Sequence, residues 1–508
     1  MIIVQSPDLL RSSLRVSDQD NSSLQDNAKA PTSSTPPPSH VPVIDLPLNI
    51  SATRRLKCIG WRTTKSCNPD GEREPQNDHD CFRKIPGGLS GYCEVEDEDT
   101  HERFRVMKRT CAKTKAGSIF KCTDAPGFAN FRVKAEQAAE KAFAPGFKLP
   151  NINTSQPNKL RGIAMVVYPK LVASAYATIR TLRDVLGCRL PIEVWYRPDE
   201  MNKFPEGLEM LKNLTRKNNS TRELTFQEIN HPKAVRFNAK IYAIYHSTFD
   251  EVLFLDADNV PVRDPTYLFE TTEFVRTGAV FWPDYWHPGH TIFFINAESL
   301  VWQLLDMPFV DMFEQESGQV LVDRRRHAAP LELVSFYGFH EPSYFSRMKL
   351  AWGDKDMFRF AWLKLNVPFH MIQSPPSVAG RMFGTSFCGM TMVQHDTDGE
   401  ILFLHRNQMK LTGKPMTDLS DELQKNVDEY PDPAMWTNLV SFRNTSALSD
   451  YIIQVHTDHR FSKQRRCFGR QFLEKSPHFY SRSFEDLNLT TIEANLRKFA
   501  MEAVTQLF

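Results

Sequence analysis

From residue 160 onward the sequence alternates short apolar runs with amphipathic stretches, and this alternation restricts the fold more than any other feature. Gly162-Ile163-Ala164-Met165-Val166-Val167-Tyr168 is one continuous apolar run, as expected of a parallel strand buried on both faces. Residues 171–186 then place Leu171, Ala175, Ile179, Leu182 and Leu186 on one helical face. Residues 191–196 and 224–229 read as further strands, and residues 199–213 and 238–247 as further helices. Glu251-Val252-Leu253-Phe254-Leu255 is a fourth strand. Strands separated by helices build an α/β fold with a doubly wound, mostly parallel sheet and flanking helices. Ligands of such sheets bind beyond the carboxyl ends of the strands.

The fourth strand ends there in Asp256-Ala257-Asp258-Asn259. Two carboxylates one residue apart in extended or turning backbone point to the same side. Acidic groups at the end of a buried strand are costly unless they have a task. Hard oxygen ligands suit Mg²⁺ or Mn²⁺, which bridge phosphate oxygens. A sugar leaving a nucleoside diphosphate builds negative charge on the diphosphate, and a cation stabilises that charge. A bare D-x-D is common, and its bland alternative is a solvated turn. His405 follows another apolar run, Ile401-Leu402-Phe403-Leu404, and so also stands at a strand end. Lys240 is a candidate point charge for the donor diphosphate. Tyr168, Asn259 and Trp282 are further donor-side candidates, and Trp282, Tyr285 and Trp286 are rings able to stack on a sugar or simply to close the core.

The rest of the chain bears on setting. Its 508 residues exceed one ordinary domain, and its formal net charge of +1 gives no electrostatic reason to expect nucleic acid. Residues 1–55 are rich in Ser, Pro, Asp and Asn and read as a disordered stem. Cys58, Cys67, Cys81, Cys93, Cys111 and Cys122 cluster in residues 56–125. No CxxC pair is present, so a disulfide module is favoured over zinc. Cys188, Cys388 and Cys467 stand alone. Residues 126–157 read as a connecting helix and linker, ending its helix at Pro145-Gly146. Six N-x-[ST] sequons, at Asn49, Asn153, Asn213, Asn219, Asn444 and Asn488, agree with a lumenal setting. No apolar stretch approaches the roughly 20 residues that span a bilayer, and no signal segment is visible.

Phe237-Asn238-Ala239-Lys240, Phe254-Leu255-Asp256-Ala257-Asp258-Asn259 and Phe281-Trp282-Pro283-Asp284 together resemble the fungal Golgi α-mannosyltransferase family. That family belongs to the nucleotide-diphospho-sugar transferases of GT-A fold. The resemblance runs over about residues 160–410 and implies GDP-mannose as donor, a glycan or glycoprotein acceptor, and retention of configuration. It also implies a Golgi setting and a membrane anchor, although no anchor is visible in this sequence. Glu316-Ser317-Gly318-Gln319 looks like the family's E-S-G-Q block, expected as a strand and turn near the acceptor. Gly353-Asp354-Lys355-Asp356 looks like its G-D-K-D segment, where an acidic group meets the donor sugar or the acceptor hydroxyl. Asp354, Asp356 and Glu316 are therefore the catalytic candidates. Asp354 could equally cap a helix that starts near Lys355. By the same resemblance His405 completes a metal set with Asp256 and Asp258, and its imidazole favours Mn²⁺ over Mg²⁺. The transferase domain is bounded at residues 158–412, with a C-terminal extension at 413–508. Three rivals share these features: a UDP-sugar transferase of the glycogenin type, a metal-dependent phosphohydrolase, and a non-catalytic glycan-binding protein.

Overall fold

The computed structural model describes residues 42–47, 52–111, 119–152, 155, 158–217, 224–416, 428–458, 460–461, 466–473 and 476–505. Most of the expected stem, and the sequon residues Asn49, Asn153 and Asn219, lie outside them.

A small sheet comes first, built from β1 (Val43–Asp45), β2 (Leu56–Thr63), β3 (Gly91–Asp97) and β4 (Arg103–Arg109) in the order β1-β4-β3-β2. β1 corrects the stem boundary: Val43 pairs in parallel with Arg103, because the edge of β4 offers unpaired backbone groups that a short segment can use. The six clustered cysteines pair as Cys58–Cys81, Cys67–Cys111 and Cys93–Cys122. These cross-links stiffen a module with little core of its own. Helix α1 (Ala125–Phe143) follows and ends just before Pro145, where a continuing helix would lose a backbone donor.

The expected alternation then appears, with β5 (Arg161–Val167), α2 (Val172–Arg180), β6 (Ile192–Tyr196), α3 (Pro205–Lys217), β7 (Leu224–Glu228), α4 (Asn238–His246) and β8 (Glu251–Leu255). The helix expected at 199–213 is broken. One turn covers Pro198–Met201 and α3 begins afresh at Pro205, since proline starts helices but cannot continue them. Next come β9 (Asn259–Pro261), β10 (Ala279–Pro283), β11 (Gln315–Asp323), α5 (Ala328–Phe339), α6 (Met357–Lys364) and β12 (His370–Met371). The central sheet has the order β12-β10-β11-β8-β5-β6-β7. Its pairings are parallel except those of β11, which runs against both neighbours. The doubly wound, mostly parallel sheet read from the sequence is therefore present, with one strand reversed. That strand is the Glu316 block, which forms one uninterrupted strand rather than a strand and turn.

Both faces of the sheet are buried. Ile163, Met165, Leu253 and Leu255 enter one core; Ala164, Trp195, Val252 and Phe254 enter the other, shared with α1, α4, α5 and the disulfide-linked sheet. Each large apolar side chain so buried contributes about 1.5–3 kcal/mol.

A second sheet begins where the first ends. β9 leads it, followed in space by β15 (Ile401–His405), β14 (Ser386–His395), β13 (Ser377–Phe383), β16 (Asn438–Phe442) and β17 (Phe479–Ser483). Its strands come from both sides of the boundary expected at residue 412, and Cys388 on β14 is bonded to Cys467. Those two cysteines, solitary in sequence, are thus partners, while Cys188 is buried and free. Helix α7 (Thr490–Thr505) packs on α2, and residues 42–508 make one compact unit. Among the described residues no helix is long and apolar enough to cross a membrane.

Candidate functional site

The chain passes from the first sheet to the second through Asp256, Ala257 and Asp258. The Asp256 N–H donates to the Gly318 carbonyl at 2.8 Å, extending the β8–β11 ladder by one rung. Asn259 then opens β9, whose antiparallel register with β15 sets Asn259 opposite His405. Two strand ends from two sheets therefore meet. One ligand atom each from Asp256, Asp258 and His405 lies within 4.8 Å of the others. The His405 Nε2 is 3.6 Å from Asp258 Oδ1 and 3.8 Å from Asp256 Oδ2. The Asp256 side chain keeps 28% of its surface accessible against 3% for Asp258, so the cluster opens on the Asp256 side.

Gly318 makes this meeting possible. A Cβ at that position would lie 2.6 Å from His405 Nδ1, well inside contact distance. Burial holds the His405 imidazole below its ordinary pKa against the opposing pull of Glu316 and Asp256. The ring is accordingly neutral, with a lone pair to offer. Two carboxylate oxygens and a neutral imidazole nitrogen make a donor set that fits Mn²⁺. The Lys410 ammonium lies against Asp258 Oδ2, and burial pushes its pKa down to about 8 with Asp256 opposing.

Lys240 reaches the cluster from α4. Its Nζ donates to the Ser317 carbonyl at 2.5 Å and stands 3.2 Å from Asp256 Oδ1 and 3.5 Å from Asp354 Oδ2. Burial opposes its charge, yet Asp256, then Asp354 and Glu316, hold its pKa above the ordinary lysine value. Its charge is thus shared among Ser317, Asp256 and Asp354. Asp354 is buried, and that burial raises its pKa against the pull of Lys240. Glu316 accepts from the Ser317 and Gly318 N–H groups at 2.9 and 2.7 Å and pairs with Lys355 at 2.6 Å. Despite burial, Lys355 ahead of His405 keeps its carboxyl well below the usual range. Lys355 also holds Asp284 at 2.7 Å. Tyr168 is half-buried at the end of β5, its hydroxyl pKa raised by burial and then by Asp256.

Three candidates have their side chains taken up by other partners. Asn259 is fully buried and donates to the Gly318 carbonyl at 2.8 Å and to Gln319 Oε1 at 2.6 Å, which ties β9 to β11. Trp282 has no accessible surface. Its Nε1 donates to the His395 carbonyl at 2.7 Å and its ring meets Phe403 edge-on, so no face is free for a donor. Tyr285 and Trp286 are likewise buried. Asp356 precedes α6 and accepts from the Gln315 N–H at 2.9 Å and from Arg359 Nε at 2.5 Å. It anchors the helix start, a place the sequence reading gave to Asp354. Conversely, Lys355 and Lys410 escaped that reading. Lys355 sits inside the G-D-K-D motif, whereas Lys410 lies in no recognisable pattern.

Comparison with known proteins agrees with the motifs. Residues 160–396 match a family model described as "Mannosyltransferase putative". The alpha-1,2-mannosyltransferase MNN5 of Saccharomyces cerevisiae is 26% identical over 304 residues, 49% of this chain and 51% of that protein. The alpha-1,2-mannosyltransferase MNN21 of Candida albicans is 26% identical over 306 residues, 50% of this chain and 46% of that protein. The chain thus spans about half the length of the curated relatives it matches. Among solved structures, the mannosyltransferase Ktr4p of S. cerevisiae is similar at 11% identity and a TM-score of 0.28, over 46% of this chain and 76% of that one. A likeness that shallow carries no weight for function. The resemblance read from the motifs extends along residues 160–396: this stretch, which carries Lys240, Asp256, Asp258, Glu316 and Asp354, is similar in sequence to mannosyltransferases.

Proposed function

We propose that the protein is a metal-dependent glycosyltransferase that moves mannose from GDP-mannose to a glycan or glycoprotein acceptor with retention of configuration. The observation that carries this reading is the Asp256–Asp258–His405 cluster, whose two aspartates follow β8 inside the stretch that is similar to mannosyltransferases. Those three residues would hold Mn²⁺, or Mg²⁺. The bound cation would neutralise the charge that gathers on the leaving diphosphate. Lys240 holds Asp256 in place, and Gly318 leaves room for His405. Lys410, freed from Asp258, would supply a second positive charge to the diphosphate. Glu316 and Asp354, buried beside the cluster, would take hydroxyls of the sugars. In a retaining reaction the leaving diphosphate itself can accept the proton of the incoming hydroxyl, so no side chain is assigned as general base.

Disulfides persist in oxidising compartments, and four are formed among the described residues. The proposed setting is therefore the secretory pathway, and the Golgi by resemblance.

The test is transfer from radiolabelled GDP-mannose, with UDP-hexoses in parallel, to an oligomannoside, with and without Mn²⁺. Product formation from GDP-mannose that requires Mn²⁺, with an α-anomeric proton by NMR, supports the reading. Transfer only from a UDP-sugar overturns the donor, and release of free sugar irrespective of acceptor points to a hydrolase.

A further inference from the structure

Two segments that lead into the site each end in an exposed aromatic ring. Phe237 stands three residues before Lys240, and Trp352 two residues before Asp354. Phe237 is 48% exposed and Trp352 is 52% exposed. The two rings lie 6.1 Å apart, and Phe293 stacks on Trp352 with centroids 5.3 Å apart and planes 26° from parallel. Ile292, also exposed, adjoins them in sequence. Gly353 has φ 63°, and a Cβ there would meet Phe237 Cγ at 2.6 Å, so a glycine is needed for the rings to come this close.

A cluster of large rings left half in water on a folded surface marks a contact site. Its position says for what. Lys240 and Asp354, one from each segment, are 3.5 Å apart, and Lys240 is 3.2 Å from Asp256. The rings therefore flank in sequence the two residues, Lys240 and Asp354, that join the carboxylate cluster. Lys240 is buried and engaged by Ser317, Asp256 and Asp354. Its charge is therefore taken up by groups of the protein, and what the rings offer a ligand is apolar surface. A pyranose fits: its apolar C–H face stacks on an aromatic ring while its hydroxyls remain free for polar partners.

We propose that Phe237, Phe293 and Trp352 form a stacking platform for the acceptor saccharide. The inference rests on the glycosyltransferase reading and adds to it a subsite. The platform binds sugar rings beyond the reacting one and sets which residue of the acceptor reaches the site. Its members are binding residues with no part in the chemistry.

The experiment titrates the full chain with α-linked mannotetraose by calorimetry, without nucleotide. Trp352→Ala and, separately, Phe237→Ala are expected to weaken binding about fivefold to tenfold, as loss of a stacked ring does. Trp352→Phe, which keeps a ring, is expected to restore most of it. Unchanged affinity in both alanine variants overturns the platform, as does failure of the unmodified chain to bind the tetrasaccharide. GDP binding with Mn²⁺ on the same preparations reads the donor assignment separately. Its absence would sink the transferase reading, while the saccharide titration still decides the platform.

Discussion

Lys410 bears on Asp258 and Gly318 on His405, one through charge and the other through space. Lys410 places a positive charge against Asp258, where a divalent cation is proposed to sit. Two cations cannot share that oxygen without repulsion, so the lysine competes with the metal. Lys410→Met is expected to tighten Mn²⁺ binding about tenfold, or roughly 1.4 kcal/mol, by calorimetry in the absence of nucleotide. Weaker binding in that variant would show that the lysine supports the site instead. Gly318 works through space rather than charge. Gly318→Ala would drive a methyl into the His405 ring from 2.6 Å. The displaced imidazole is expected to lower Mn²⁺ affinity about ten- to hundredfold, as disturbance of a ligand's support does. Unchanged Mn²⁺ affinity would show that His405 is not a ligand.

At the scale of elements, β11 and the turn after it tie the two sides of the central sheet. His327, just beyond β11, donates its Nε2–H to the Thr277 carbonyl at 2.8 Å. Burial pushes its pKa down to about 4 from an ordinary 6.5. A depressed value means the folded state holds the neutral ring. The associated stability is fully present above pH 6.5 and is lost as pH falls through 4. The full swing is about 3.5 kcal/mol at about 1.4 kcal/mol per unit. Urea denaturation at pH 7 and pH 4.5 should show a smaller loss in His327→Gln than in the unmodified chain. An identical loss would place the acid sensitivity elsewhere. The strands themselves were readable because burial on both faces writes an unbroken apolar run, as in β5 and β8. Asp256, Asp258 and His405 stood out for the same reason, each being polar at the end of such a run. Asn259, Trp282 and Asp356 misled because motif membership does not say which way a side chain points. Asn259 is bound by Gly318 and Gln319, Trp282 is sealed by Phe403 and His395, and Asp356 is taken up by Gln315 and Arg359.

Across the whole molecule, residues after 412 complete the second sheet rather than extending a finished domain. The Cys388–Cys467 bridge spans 79 residues of sequence, a separation that no local pattern reveals. Cross-linking so long a loop restrains the unfolded chain strongly, so Cys467→Ser is expected to cost about 2–4 kcal/mol of stability. Because β15 carries His405 and pairs with β14, the same change should weaken Mn²⁺ binding near the melting range. Calorimetric melting with and without Mn²⁺ measures both, and an unshifted transition would make the bridge incidental.

The central claim is that Asp256, Asp258 and His405 seat a cation on which the diphosphate of a nucleotide sugar rests. Titration of GDP-mannose by calorimetry, with and without Mn²⁺, in the unmodified chain and in Asp258→Asn, tests it most directly. The account predicts binding that needs Mn²⁺ and weakens at least about a hundredfold in the variant while the fold is retained. Equal binding without Mn²⁺, or by Asp258→Asn, would contradict it.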